Sequence, residues 1–151
     1  MSDTPSAIGH RGFVVNYSRV LLATLASTVV YFVLGGLFFA AGPLKREFEK
    51  FPAIYRTPDS MKSVVPYGIV GMILSMLALS ILFALQRPDG SALVRGLHFG
   101  ALIGAFAVGS FVLHNYVNLN IGLRLTMGQA VAYFIQWVVV GVVIAWVYKP
   151  A

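Results

Sequence analysis

The sequence predicts an all-α fold: an integral membrane bundle of four helices. Two observations carry this expectation. Of 151 residues, 58% are hydrophobic and only 11% charged, whereas soluble domains carry roughly 25% charged residues. The apolar residues also fall into long blocks rather than stripes, and each block is long enough to cross a hydrocarbon core about 30 Å thick.

Residues 1–13 (MSDTPSAIGHRGF) read as a short polar tail ahead of a four-span domain over 14–149. The first apolar block covers about 14–41, roughly 40 Å of helix at 1.5 Å per residue, so it tilts or protrudes. A signal peptide is the competing reading, because Arg11 and Arg19 precede the block. A secretory core is only about 7–15 residues long, however, and Phe38-Phe39-Ala40-Ala41 lacks a small residue at the cleavage offset. The block is therefore expected to be a mature span, closed by Gly42-Pro43.

Residues 43–64 (PLKREFEKFPAIYRTPDSMKSV) form the one substantial loop, dense in charge yet carrying Phe48, Phe51, Ile54 and Tyr55. Such a segment suits the headgroup zone, and Pro52 and Pro58 forbid a single long helix within it. The second span is expected over about 65–86, with Pro66 in its first turn. Arg87-Pro88-Asp89-Gly90 then signals a turn. The third span follows at about 93–116 and the fourth at about 126–148, where Trp146, Tyr148 and Lys149 anchor the end. The short connection NYVNLNIGLR makes the last two spans antiparallel neighbours.

The net charge of +6 reads as flanking charge that meets lipid headgroups, so the bilayer is the expected partner and nucleic acid is not. The absence of cysteine removes thiol and disulfide chemistry. Four spans put both termini on one side. Arg11, Arg19, Arg87, Arg95 and Lys149 lie there, against Lys45, Arg46, Lys50, Arg56, Lys62 and Arg124 opposite. The positive-inside rule barely separates the two sets. Arg11 and Arg19, flanking the first span with only Asp3 nearby, favour cytoplasmic termini.

The most specific pattern is Gly96, Gly100 and Gly104, which line one face of the third span at four-residue spacing and permit close backbone approach. Gly71 and Ser75 extend the small-residue theme to the second span. Such faces serve packing within one bundle or a seam between copies of the chain.

His98 and His114 raise the question of haem. Sixteen residues apart on one helix, they stand roughly 160° around it and about 24 Å along it, so they do not share one iron. No cofactor is expected, with haem as the minor alternative. Asn115, Asn118, Asn120 and Arg124 follow His114 at the face where loop 43–64 emerges. They offer a headgroup or small-molecule site, or else a solvated rim. On the fourth span Gln129, Tyr133 and Gln136 form a polar stripe, the two glutamines roughly 20° and 10 Å apart. They serve as interhelical glue or line a ligand pocket.

No Asp or Glu lies inside any span, and ionisable intramembrane residues are the usual mark of proton-coupled transport. Small multidrug exporters depend on a glutamate in their first span, which is missing here. The stretch KREFEK matches the Arg- and Glu-rich motif of the four-span membrane glutathione transferases only superficially. No metalloprotease, phosphate-loop or Ser/His/Asp signature is present.

Arg95-Gly96-Leu97-His98-Phe99-Gly100, Ala132-Tyr133-Phe134-Ile135-Gln136-Trp137 and Trp146-Val147-Tyr148-Lys149-Pro150 resemble the corresponding spans of small four-span bacterial membrane proteins grouped as domains of unknown function. The resemblance implies a bacterial cytoplasmic membrane and carries no activity. The expected role is therefore a non-enzymatic structural, accessory or assembly subunit, in a homo-oligomer or larger membrane complex, with the glycine-lined third span forming contacts. The alternative is a lipid- or small-molecule-binding carrier or transporter with a polar pocket inside the bundle. An enzyme using the His114–Arg124 rim comes third.

Overall fold

Each apolar block becomes a helix because a polar residue, a proline or a glycine starts it and its length satisfies the backbone internally, as the bilayer core demands. A computed structural model describes residues 15–86 and 90–149. The polar tail and most of the Arg87-Pro88-Asp89-Gly90 turn lie outside the described residues; Gly90 takes the left-handed backbone, φ 83°, that glycine tolerates best.

Four helices are long and apolar enough to cross a membrane: Tyr17–Ala40, Val65–Ala84, Ala92–Asn118 and Leu123–Val147, hereafter the first to fourth spans. No strand occurs among the described residues. The protein is a multi-pass membrane protein with the architecture of a four-helix bundle.

Local chemistry sets the ends. Asn16 caps the first span by accepting from the Arg19 N–H at 3.2 Å, and Ser91 caps the third by accepting from the Val94 N–H at 3.3 Å. Pro66 sits in the first turn of the second span. Gly42 ends the first because any Cβ there would collide with the carbonyl oxygen of Leu37.

Two spans depart from the regular α-helix. Residues Gly36–Ala40 of the first and Val108–Leu113 of the third are π-helical. Each π turn accommodates an extra residue and moves the side chains after it by roughly 100° around the axis. The apolar pattern contains no mark of either segment.

The third and fourth spans form the tightest pair. A Cβ on Gly96 would lie 2.6 Å from the Cα of Val142, and one on Gly100 would lie 2.6 Å from the Trp137 carbonyl oxygen. Gly141 returns the contact: its Cβ would stand 2.5 Å from the Gly96 carbonyl oxygen. The fourth span also packs on the first, and the first on the second. Around the bundle the order is therefore second, first, fourth, third.

The edge between the second and third spans stays mostly open. It is bridged near the terminal end, where the Phe83 and Phe99 rings meet edge to face at 5.3 Å. The buried core, including Val20, Met76, Phe83, Phe99, Val140 and Ile144, sits toward that same end.

Opposite, loop 43–64 folds back on the bundle through the short helix Lys45–Phe48 and carries a second, exposed one, Pro58–Lys62. Leu44 is buried against Gly128 of the fourth span, in a notch that a Cβ would fill. Phe48 packs edge to face on Tyr55 at 4.6 Å and on Phe39 at 5.9 Å.

Candidate functional site

Because the second span leans on the first and leaves the third, a cleft of about 820 Å³ opens between them. Met72, Ser75, Ala78, Leu79 and Leu82 form one wall, and Ile103, Phe106, Ala107, Ser110 and Phe111 the other. Tyr31, Tyr133 and Trp137 form its floor. These positions fall near mid-span, so the cleft faces the middle of the bilayer. Its size lies within the range of about 300–1,000 Å³ that small-molecule sites occupy.

The polar groups of the cleft are few and neutral. Ser75 donates to the Gly71 carbonyl at 2.9 Å and Ser110 to the Phe106 carbonyl at 2.7 Å, so both hydroxyls are tied to their own helices. Neither the two phenols nor the indole hydrogen-bonds a described residue. Tyr31 packs on Trp137 at 5.3 Å. Tyr133 sits between the two π segments, 5.0 Å from the Phe39 ring and 5.7 Å from the Phe111 ring. The π segments of both helices thus meet one aromatic side chain of the cleft.

Gln136 is fully buried and donates its amide to the Tyr31 carbonyl at 2.6 Å, linking the fourth span to the first. It does not line the cleft. Gln129 is also buried and lies within hydrogen-bonding reach of Tyr55 in the loop. Burial pushes the Tyr55 hydroxyl above its ordinary range, and the Gln129 contact offsets part of that shift. The polar stripe of the fourth span is thus divided: Gln136 joins two spans, Gln129 receives the loop, and Tyr133 alone reaches the cleft.

Gly96, Gly100 and Gly104 face the fourth span of the same chain, the last with its Cβ position 3.0 Å from the Phe134 ring. Gly71 does not join this contact; it is exposed, and a Cβ there would meet nothing within 4 Å. Ser75 is likewise exposed, on the cleft wall.

The candidates near the membrane faces do not converge. His98 and His114 are both exposed, and the π segment between them shifts the phase that a plain residue count assumes. Among the described residues no three His, Cys, Asp or Glu side chains gather as a metal site. Asn118 bonds back to the His114 carbonyl at 3.0 Å, and Asn115 is half-buried beside it. Arg124 instead pairs with Glu47 of the loop, Nε to Oε1 at 3.2 Å, while Lys50 holds the other carboxylate oxygen at 2.8 Å. The Lys50 hydrogen bond and the Arg124 charge together hold the Glu47 carboxyl below its ordinary value.

Sequence reasoning missed Tyr31, Trp137 and, apart from Ser75, both cleft walls as site residues. Ala78, Ala107 and Met72 have no chemistry that distinguishes them from other lipid-facing residues. The available signal was the crowding of aromatic residues at Tyr133 and Trp137.

No family model matches the chain, and no curated protein or solved structure is significantly similar to it.

Proposed function

We propose that the protein is a non-enzymatic membrane protein that holds a neutral, lipid-like molecule in the cleft between its second and third spans. The cleft itself supports this reading: about 820 Å³, apolar walls, an aromatic floor and no charged residue in its lining. A single acyl or isoprenoid chain is of that order of size, whereas a whole transmembrane helix is several times larger. Tyr31, Tyr133 and Trp137 bring donors to a site with no free acceptor of comparable strength. They suit a ligand that accepts hydrogen bonds through a carbonyl or ester oxygen while remaining apolar elsewhere.

The test is native mass spectrometry on protein gently extracted from its own membrane, with Ala107→Trp as the cleft-filling variant. A neutral adduct of defined mass, retained by the native protein and lost from the variant, is expected. Bare native protein, or an adduct that persists in the variant, would overturn the reading.

A second reading, assembly with another membrane protein or a second copy, draws on the second span. Gly68 and Gly71 there are exposed with open space around them, and bare small residues permit close helix approach in a bilayer. On this reading Gly71→Leu lowers the oligomeric mass found by light scattering in detergent.

For localisation, we infer a bacterial cytoplasmic membrane with both termini in the cytoplasm. The flanking Arg11 and Arg19 support this orientation.

A further inference from the structure

The terminal end of the bundle contains a cation unlike the others. Arg95 lies one turn into the third span, half-buried, with its guanidinium carbon 4.7 Å from the centre of the Phe83 ring. Its Nε is buried and has no hydrogen-bond partner among the described residues. Tyr148, just past the end of the fourth span, packs on the same ring at 6.1 Å, is 4% exposed, and has a buried hydroxyl with no hydrogen-bond partner among the described residues. The contact of Gly96 with Val142 and Ala145 brings these stretches of the third and fourth spans together.

The carboxylates among the described residues, Glu47, Glu49 and Asp59, all belong to loop 43–64 at the opposite end. The buried Nε–H of this half-exposed guanidinium still needs an acceptor, and the aromatic face beside it supplies only part of that. Its N–H groups donate only, and the Tyr148 phenol is a donor in search of an acceptor. An acceptor-rich anion at membrane-interface depth matches both, and phosphate is the anion that bilayers present there.

We propose that Arg95 and Tyr148 form a binding site for an anionic phosphate group at the terminal end of the bundle. The site is separate from the mid-membrane cleft and takes the opposite class of ligand, charged rather than neutral. It belongs to a rigid part of the fold, since Phe83, Phe99 and Tyr148 are core residues. The phosphate comes from an anionic lipid headgroup or from a soluble phosphate compound, and the two sources separate experimentally.

The experiment uses the full chain in nanodiscs of equal parts phosphatidylglycerol and phosphatidylcholine, with retained lipid counted by native mass spectrometry after mild delipidation. The native protein should favour phosphatidylglycerol. Arg95→Gln should weaken that preference by about tenfold, the loss of one charge-assisted contact. Tyr148→Phe, which keeps the core volume, should weaken it in the same direction and by less. In parallel, inorganic phosphate is titrated into protein in neutral detergent and followed by phosphorus NMR. Line broadening that Arg95→Gln abolishes assigns a soluble phosphate; lipid preference without broadening assigns the headgroup. Should Arg95→Gln fail to fold, Arg95→Lys replaces it, keeping the charge but losing the planar fork. A native protein with neither lipid preference nor phosphate broadening overturns the proposal. So does a preference left unchanged by the Arg95 and Tyr148 variants.

Discussion

The side-chain amide of Gln136 donates to the backbone carbonyl of Tyr31 at 2.6 Å, across 105 positions of chain. The acceptor lies one turn before the π segment that begins at Gly36, so the amide supplies a donor close to where helical pairing changes. Gln136 satisfies only half of itself, because its buried Oε1 has no partner among the described residues. Thr24, Ser27 and Thr28, at nearby depths of the first span, bond to carbonyls of their own helix and join nothing across the bundle.

Replacing Gln136 with leucine is therefore expected to be nearly neutral for the fold. It removes an interhelical bond of the kind worth about 0.6 kcal/mol in a bilayer, and it also removes an unsatisfied acceptor. Thermal unfolding in detergent should place Gln136→Leu within about 1 kcal/mol of the native protein. Ligand retention in the cleft should survive, since Gln136 does not line it. A large loss of stability would show that the amide has a further partner.

Gly100→Leu should behave very differently. Even a Cβ at this position meets the Trp137 carbonyl at 2.6 Å and the Val138 Cα at 2.7 Å, both backbone atoms. Overpacking of this kind costs about 1–3 kcal/mol, occasionally more. The same measurement on Gly71→Leu should show little change in the monomer, because open space surrounds Gly71. Equal effects at the two positions would contradict the packing described here.

Acid should loosen the loop. Glu47 has its carboxyl held below the ordinary value by Lys50 and Arg124. Its stabilising contribution is therefore complete above about pH 4.3, the unfolded glutamate value, and is lost as pH falls through the lower folded value. Protection of the amides of residues 44–49, taken relative to the intrinsic exchange rate at each pH, should fall on acidification through that window. Glu47→Gln should remove this pH dependence, leaving protection low throughout.

Orientation can be read with a single thiol, because the chain has no cysteine of its own. Ser60 is exposed on the short helix Pro58–Lys62. With cytoplasmic termini, Ser60→Cys reacts with a membrane-impermeant maleimide in intact spheroplasts. Labelling only after lysis would reverse the topology.

Much of the fold was legible because a bilayer selects for blocks of apolar sequence that need no tertiary context. Pro66 carried its structural meaning in the sequence, whereas the glycines of the third span, expected to form assembly contacts, face the fourth span of the same chain. The candidate site was less legible for three physical reasons. The π segments at Gly36–Ala40 and Val108–Leu113 shift helical phase without altering composition, so the angle between His98 and His114 could not be counted out. The cleft walls consist of Met, Ala, Leu and Ser, which lipid-facing and ligand-facing surfaces share. Arg124, expected at a ligand rim, is engaged by Glu47, a pairing fixed only when the loop folds back on the bundle.

The order of packing around the bundle also governs how the chain assembles during synthesis. The second helix has its main neighbour, the first, already present when it is made. The third has no strong neighbour until the fourth arrives, and the fourth also grips the first. The last helix translated is thus the keystone that joins an early pair to a late single helix. A chain halted at residue 122 would have inserted three helices without a bundle to hold them together.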